Sequence, residues 1–212
     1  MTIKAILFDF DGVIVDSVNV KTEAFRELFS NEKEHLQTIL NFHLANGGMS
    51  RFVKFEIIYR DILKKPLTKE FSQELGERFS KLVMQKVIEC EYMPGALEFL
   101  QKYSKQIPLF IASGTPQDEL KTITAKRGLT NYFKEIHGTP RSKPEIIRDI
   151  VERHNIKTKE MPFIGDAIND YKAALETNSP FYGYVLQGNG GFSKDVTIIR
   201  SFQELESALF SK

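Results

Sequence analysis

Four short runs in this sequence are apolar at nearly every position, without the in-and-out alternation of a half-buried strand. They are "IKAILF" (3–8), "IPLFIA" (107–112), "MPFIG" (161–165) and "FYGYVL" (181–186). Strands of that kind are buried on both faces, as in a parallel sheet covered by helices. Between and beyond them lie helix-period stretches: "PGALEFLQKYS" from Pro94, "PQDELKTITAKRG" from Pro116 with Gly128 as its C-terminal stop, "KPEIIRDIVERHN" from Lys143, and "NDYKAALETN" from Asn169. Strand and helix alternating at this pitch predict an α/β fold with a doubly wound parallel sheet, whose ligands bind at the carboxyl ends of the strands.

Residues from about 17 to 90 break the alternation. "VKTEAFRELFS", "EKEHLQTILNFHLA", "SRFVKFEIIYRDILKK" and "TKEFSQELGERFSKLVMQKVIE" all carry helical apolar spacing with no convincing strand between them. The expected organisation is an α/β core from residues 1–15 and 91–212, interrupted by a helical subdomain over 16–90, with "YMPGA" at 92–96 as the return to the sheet.

The totals narrow the function classes. The 29 basic and 28 acidic side chains leave a net charge of +1, so no bulk electrostatic term favours nucleic acid or an anionic membrane as partner. The sole cysteine, Cys90, cannot form an internal disulfide, which suits a reducing cytoplasm. No apolar run reads as a signal peptide or a membrane span. The expectation is a cytoplasmic monomer or homodimer with no nucleic-acid or membrane partner.

Chemistry concentrates where the apolar runs end. In "ILFDFDGVIVDS" (6–17) Asp9 and Asp11 are two apart, so both can point into one site as the strand ends, with Gly12 turning the backbone away. A hard cation such as Mg²⁺ would relieve their repulsion; a turn with N-capping aspartates would use the same residues. "FIASGTP" (110–116) ends a strand in small hydroxylated residues, so Ser113 and nearby amides suit a phosphate, while Thr115 could equally cap the next helix. Lys143 opens a helix in "RSKPEII", an unfavourable place for a cation unless an anion is near, although a lone lysine is commonly just solvated. "FIGDAINDYKAA" places Asp166 and Asp170 four apart, on one face of a helix start at the same sheet edge as Asp9; cap and first-turn aspartate is the plainer alternative.

Taken together, in this order and strand context, the four clusters resemble the haloacid dehalogenase superfamily in its phosphatase branch. "DFDGVIVDS", "IASGT", "SKP" and "GDAIND" resemble that family's four motifs, and the helical insert resembles its mobile cap, so the likeness covers essentially the whole core. The resemblance implies Asp9 as nucleophile forming an aspartyl-phosphate and Asp11 as general acid and base. It implies Mg²⁺ held by Asp9, the backbone carbonyl of Asp11 and Asp166, with Asp170 near or acting through water. It also implies that Ser113, Gly114 and Lys143 bind the transferring phosphoryl of a small-molecule phosphate ester. An acid at position 11 points to phosphate-ester chemistry, since dehalogenases of the family lack it and its ATPases carry Thr. Ala167 departs from the Ser that many relatives have in the fourth motif. Asp16 is expected to shape the turn into the insert, and Phe10 to pack in the core.

"LANGGMSRFVKF" (44–55) resembles the cap loop with a Gly-x-Ser-Arg pattern in β-phosphoglucomutase-like members, which implies that Arg51 reaches the distal end of the substrate. A plain helix start capped by Ser50 is the alternative. "QGNGGF" (187–192) lacks the context of a dinucleotide fingerprint and reads as a loop, and the four histidines show no zinc-ligand spacing. The functional expectation is an Mg²⁺-dependent phosphatase of the phosphoglycolate or sugar-phosphate class. Its alternatives are a sugar-phosphate mutase, a phosphoacceptor signalling module and, least favoured, a binding protein with a dead site.

Overall fold

A computed structural model describes residues 2–210 of the chain. Its sheet has six strands, β1 (Ile6–Phe8), β2 (Leu109–Pro116), β3 (Glu135–Thr139), β4 (Phe163–Gly165), β5 (Phe181–Tyr184) and β6 (Thr197–Ile199). They lie in the order β3-β2-β1-β4-β5-β6, and every pairing is parallel. The chain winds outward from β1 to β3, then returns to the other side of β1 at β4. That reversal opens a crevice at the carboxyl ends of β1 and β4.

Four of these strands fall on the apolar runs. The other two, "EIHGT" and "TII", give no such signal because they are the sheet's edges, where residues remain partly exposed and need not be apolar. Between β1 and β2 the chain forms α1 (Val18–Leu28), α2 (Leu36–Ala45), α3 (Arg51–Ile57), which runs on as a π-helical stretch over Ile58–Leu63, and α4 (Lys69–Glu89). The sheet is covered by α5 (Ala96–Tyr103), α6 (Gln117–Lys126), α7 (Lys143–Arg153), α8 (Ile168–Thr177) and α9 (Phe202–Phe210). The C-terminal α9 has no counterpart in the sequence reading.

The two-residue period of β1 positions the site. Ile6, Phe8 and Phe10 join one apolar cluster, with Phe99 and Phe202 and with Phe25, Phe55 and Phe79 of the inserted helices. Ala5 and Leu7 join the opposite cluster, with Ile146, Ile147 and Ile150 of α7 and Ala173 and Ala174 of α8. The next residue in that second series is Asp9, so the pleat carries it toward the starts of α7 and α8. None of the helices among the described residues is long and apolar enough to cross a membrane.

Candidate active site

Asp9 leaves the sheet fully buried, its amide donating to the Ile164 carbonyl at 2.9 Å. Its Oδ1 accepts from the Phe10 amide at 2.7 Å, and its Oδ2 lies 2.9 Å from Lys143 Nζ. Lys143 is the first residue of α7, whose start is fixed by a reciprocal pair of bonds between Ser142 and Glu145. The same ammonium meets Asp170, which sits in the first turn of α8 and accepts from the Ala167 amide at 3.1 Å. Asp166 stands ahead of that helix, in the loop after β4, so the two aspartates are not a pair on one helical face as their spacing predicts. One carboxylate oxygen from each of Asp9, Asp166 and Asp170 nevertheless lies within 4.8 Å of the others.

Three carboxylates, Asp9 and Asp170 buried and Asp166 partly so, facing one ammonium are short of positive charge. Burial pushes Asp9 up to about 7, with Asp170 and Asp11 adding to the rise and Lys143 opposing it. Burial, then Asp9 and Asp170, hold Asp166 well above the usual carboxylate range. For Lys143, burial alone would lower the pKa, but Asp170 and Asp9 outweigh it and keep the side chain charged. An all-oxygen donor set with surplus negative charge is the chemistry that fits Mg²⁺.

Asp11 is shifted the opposite way. Burial acts to raise its pKa, but Lys21, 2.5 Å from Oδ2, together with Ser17 and Thr115 brings it below normal. Ser17 Oγ donates to Oδ1 at 2.6 Å, and Thr115 Oγ1 donates to Oδ2 at 3.0 Å. Thr115 thus serves Asp11 and does not cap α6, whose N-cap is Pro116. Gly12, at φ +77°, makes the turn after Asp11; a Cβ there would also strike Asp166 Oδ2 at 2.3 Å. Ser113 is buried, with its Oγ 3.1 Å from the Thr115 amide and 3.4 Å from Asp11 Oδ2. The β2–β3 pairing skips from Ala112 to Pro116, leaving Ser113, Gly114 and Thr115 outside the ladder.

The inserted helices close over these groups. Asn169 Nδ2 donates to the Gly47 carbonyl at 2.8 Å, and a Cβ on Gly114 would meet the Gly48 carbonyl oxygen at 2.5 Å. Between them is a cavity of about 390 Å³, lined at its base by Asp9, Asp11, Gly114 and Asp166 and above by Lys21, His43, Arg51 and Lys54. Ser113 and Lys143 lie at an adjoining recess that also includes Gly48 and Gly114. Arg51 borders the cavity, but its guanidinium already forms two bonds to Glu119, at 2.6 and 3.0 Å, and one to Ser80 at 2.7 Å. Ser50 precedes α3 without a capping side-chain bond.

Sequence reasoning passed over Lys21, His43 and Glu119. Lys21 and His43 come from separate helices, and nothing local marks them as neighbours of Asp11 or Lys54. The signal available was in "SRFVKF", where Arg51 and Lys54 share a helical face with Phe55 and so put cations on an apolar side.

A family model for haloacid dehalogenase-like hydrolases matches residues 3–176. The chain is 26% identical over 197 residues to a phosphorylated carbohydrates phosphatase of Thermotoga maritima, covering 89% of this chain and 88% of that protein. It is 25% identical over 209 residues to a phosphoglycolate phosphatase of Vibrio vulnificus, covering 89% and 86%. Among solved structures, a haloacid dehalogenase-like hydrolase from Streptococcus pneumoniae superposes with a TM-score of 0.71 at 20% identity, covering 97% of this chain and 98% of that one. A hydrolase of the same family from Bacillus subtilis, described as bound to magnesium with interdomain movement, gives 0.72 at 19% identity and 99% of each chain. The matched model spans strands β1 to β4, the inserted helices and all four acidic and basic clusters, and on that ground the chain belongs to the haloacid dehalogenase-like hydrolases.

Proposed function

We propose that the chain is an Mg²⁺-dependent phosphatase that hydrolyses a small phosphomonoester, of the sugar-phosphate or phosphoglycolate class, through an aspartyl-phosphate on Asp9. The observation that carries this reading is the Asp9 carboxylate at the base of a cavity, 2.9 Å from Lys143 and grouped with Asp166 and Asp170. The names of the Thermotoga and Vibrio relatives support the substrate class.

Asp9 attacks phosphorus and the ester oxygen departs. Asp11 supplies the proton to that leaving oxygen, then as carboxylate takes a proton from the water that cleaves the acyl-phosphate. The bonds from Lys21, Ser17 and Thr115 to Asp11 favour its ionised form, which serves the second step and works against the first, where Asp11 must carry the proton. Lys143 neutralises charge on the phosphoryl oxygens, with Ser113 and the Gly114 backbone as further donors. Asp9, Asp166 and the Asp11 carbonyl would hold Mg²⁺, Asp170 chiefly anchoring Lys143; when bound, the cation offsets phosphoryl charge that these carboxylates would otherwise repel. Residues 16–90 act as the cap that excludes water from the site. The single free cysteine accords with a cytoplasmic setting.

Phosphate release from a panel of sugar, glycolate and nucleotide phosphates with Mg²⁺ tests the reading, beside EDTA and Asp9→Asn controls. Turnover abolished by both controls supports it. Transfer of phosphate to a second sugar hydroxyl in place of water, dependent on a bisphosphate activator, would replace it with a mutase.

A further inference from the structure

Lys54 is 4% exposed, yet no carboxylate among the described residues pairs with it. Its ammonium donates to the His43 carbonyl at 3.1 Å, contacts His43 Nδ1 at 3.1 Å and lies 5.5 Å from the centre of the Phe25 ring. Both Lys54 and His43 line the cavity above Asp9, among Val18, Phe25, Leu44 and Phe79. Burying an unpaired cation in apolar surroundings is costly, and a side chain of equal length without charge would fill the same space. Lys54 has three donors, of which His43 uses two. With Nδ1 accepting from Lys54, a neutral His43 carries its proton on Nε2, and that N–H has no protein acceptor among the described residues. Of the other cations on this wall, Lys21 is paired with Asp11 and Arg51 with Glu119, so neither needs an outside anion.

We infer that Lys54 and His43 form a subsite for a second anionic group, so that the preferred substrate is a phosphomonoester whose far end carries a carboxylate or another phosphoryl. The inference rests on the phosphatase reading for the position of the first phosphoryl. Burial, and then the nearby Lys21, lower Lys54 to about 7, against the pull of Asp11 and Asp166; burial and Lys54 lower His43 to about 3. An entering anion therefore meets a neutral imidazole and an ammonium whose charge it restores.

The test compares matched substrates that differ only at the far end: phosphoglycerate against glycerol phosphate, and glucose bisphosphate against glucose phosphate. The first pair reports a carboxylate and the second a phosphoryl. In the wild type the anionic member of at least one pair is favoured in kcat/KM by about ten- to a hundredfold, the range for a charge-assisted contact. In Lys54→Met the ratio falls to near one, whereas Lys54→Arg keeps most of it. Equal use of both members by the wild type, or a Lys54→Met loss shared by both members, overturns the subsite. Calorimetric binding of the same pairs to Asp9→Asn protein, with Lys54 intact, needs neither turnover nor a folded Lys54 variant. There the anionic member binds at least tenfold more tightly, and equal affinities refute the subsite. Binding preference without phosphate release from any compound would keep the subsite and sink the phosphatase reading.

Discussion

Lys143 Nζ lies 2.9 Å from Asp9 Oδ2 and also meets Asp170, so one buried ammonium joins the end of β1 to the first turn of α8. The group set against the proposed phosphoryl acceptor is thus also a structural tie. Lys143→Met leaves Asp9 and Asp170 buried with no positive partner, and breaking a buried pair costs about 3–5 kcal/mol. Loss of a charge-stabilising donor removes about a hundredfold or more from kcat. Denaturant unfolding and steady-state kinetics on one preparation check both effects; unchanged stability with full activity would refute the role.

Arg51 and Glu119 fasten the inserted helices to the core. Their two-bond contact joins α3 to α6, and Ser80 of α4 donates to the same carboxylate at 2.6 Å. Glu119→Gln strands a buried guanidinium, with an expected stability loss of about 3–5 kcal/mol. It also loosens closure, so KM rises more than kcat falls. A double-mutant cycle with Arg51→Met measures the coupling, and additive effects would show that the contact is incidental.

Gly114 admits the insert's loop to the site. A methyl group there would stand 2.5 Å from the Gly48 carbonyl oxygen and must push residues 46–49 outward. Gly114→Ala is expected to cut kcat/KM by about ten- to a hundredfold, the scale of an ångström's misplacement. Faster amide exchange at Gly47 and Gly48 would accompany it. Unaltered exchange would mean that the loop does not rest on Gly114.

Acid stability follows from the far end of the sheet. Arg153, donating to both Glu135 oxygens at 2.8 and 2.5 Å, lowers Glu135 to about 2; partial burial opposes this, and His154 and His137 assist it. A carboxylate depressed from its ordinary 4.5 contributes stability that is complete above that pH and is lost as pH falls toward 2. Glu135→Gln should therefore be less stable than the wild type at neutral pH, with the gap closing between about 4.5 and 2. A gap independent of pH would contradict the assignment.

Much of the fold was legible because fully buried strands leave unbroken apolar runs, and because Asp9, Asp166 and the Ser113 cluster each follow such a run directly. Edge strands β3 and β6 left no trace, since their partial exposure removes the pressure for apolar residues. Within the site, residues adjacent to a strand end were readable, whereas those brought in by the insert were not. Thr115 reads as a cap until Asp11 is seen accepting its hydroxyl. Lys21 contacts Asp11 only because α1 turns back over the strand end, a long-range relationship that local spacing does not encode. Arg51 looked free in sequence because Glu119, its partner, lies 68 positions away.

The central claim, that Asp9 carries the phosphoryl group, is tested most directly by acid-quenching the enzyme during turnover and locating the phosphate by mass spectrometry. The account predicts a phosphoryl adduct confined to the peptide "AILFDFDGVIVDSVNVK", assigned to Asp9 and absent from Asp9→Asn. An adduct on another residue, or rapid turnover with unmodified enzyme at every quench time, would contradict it.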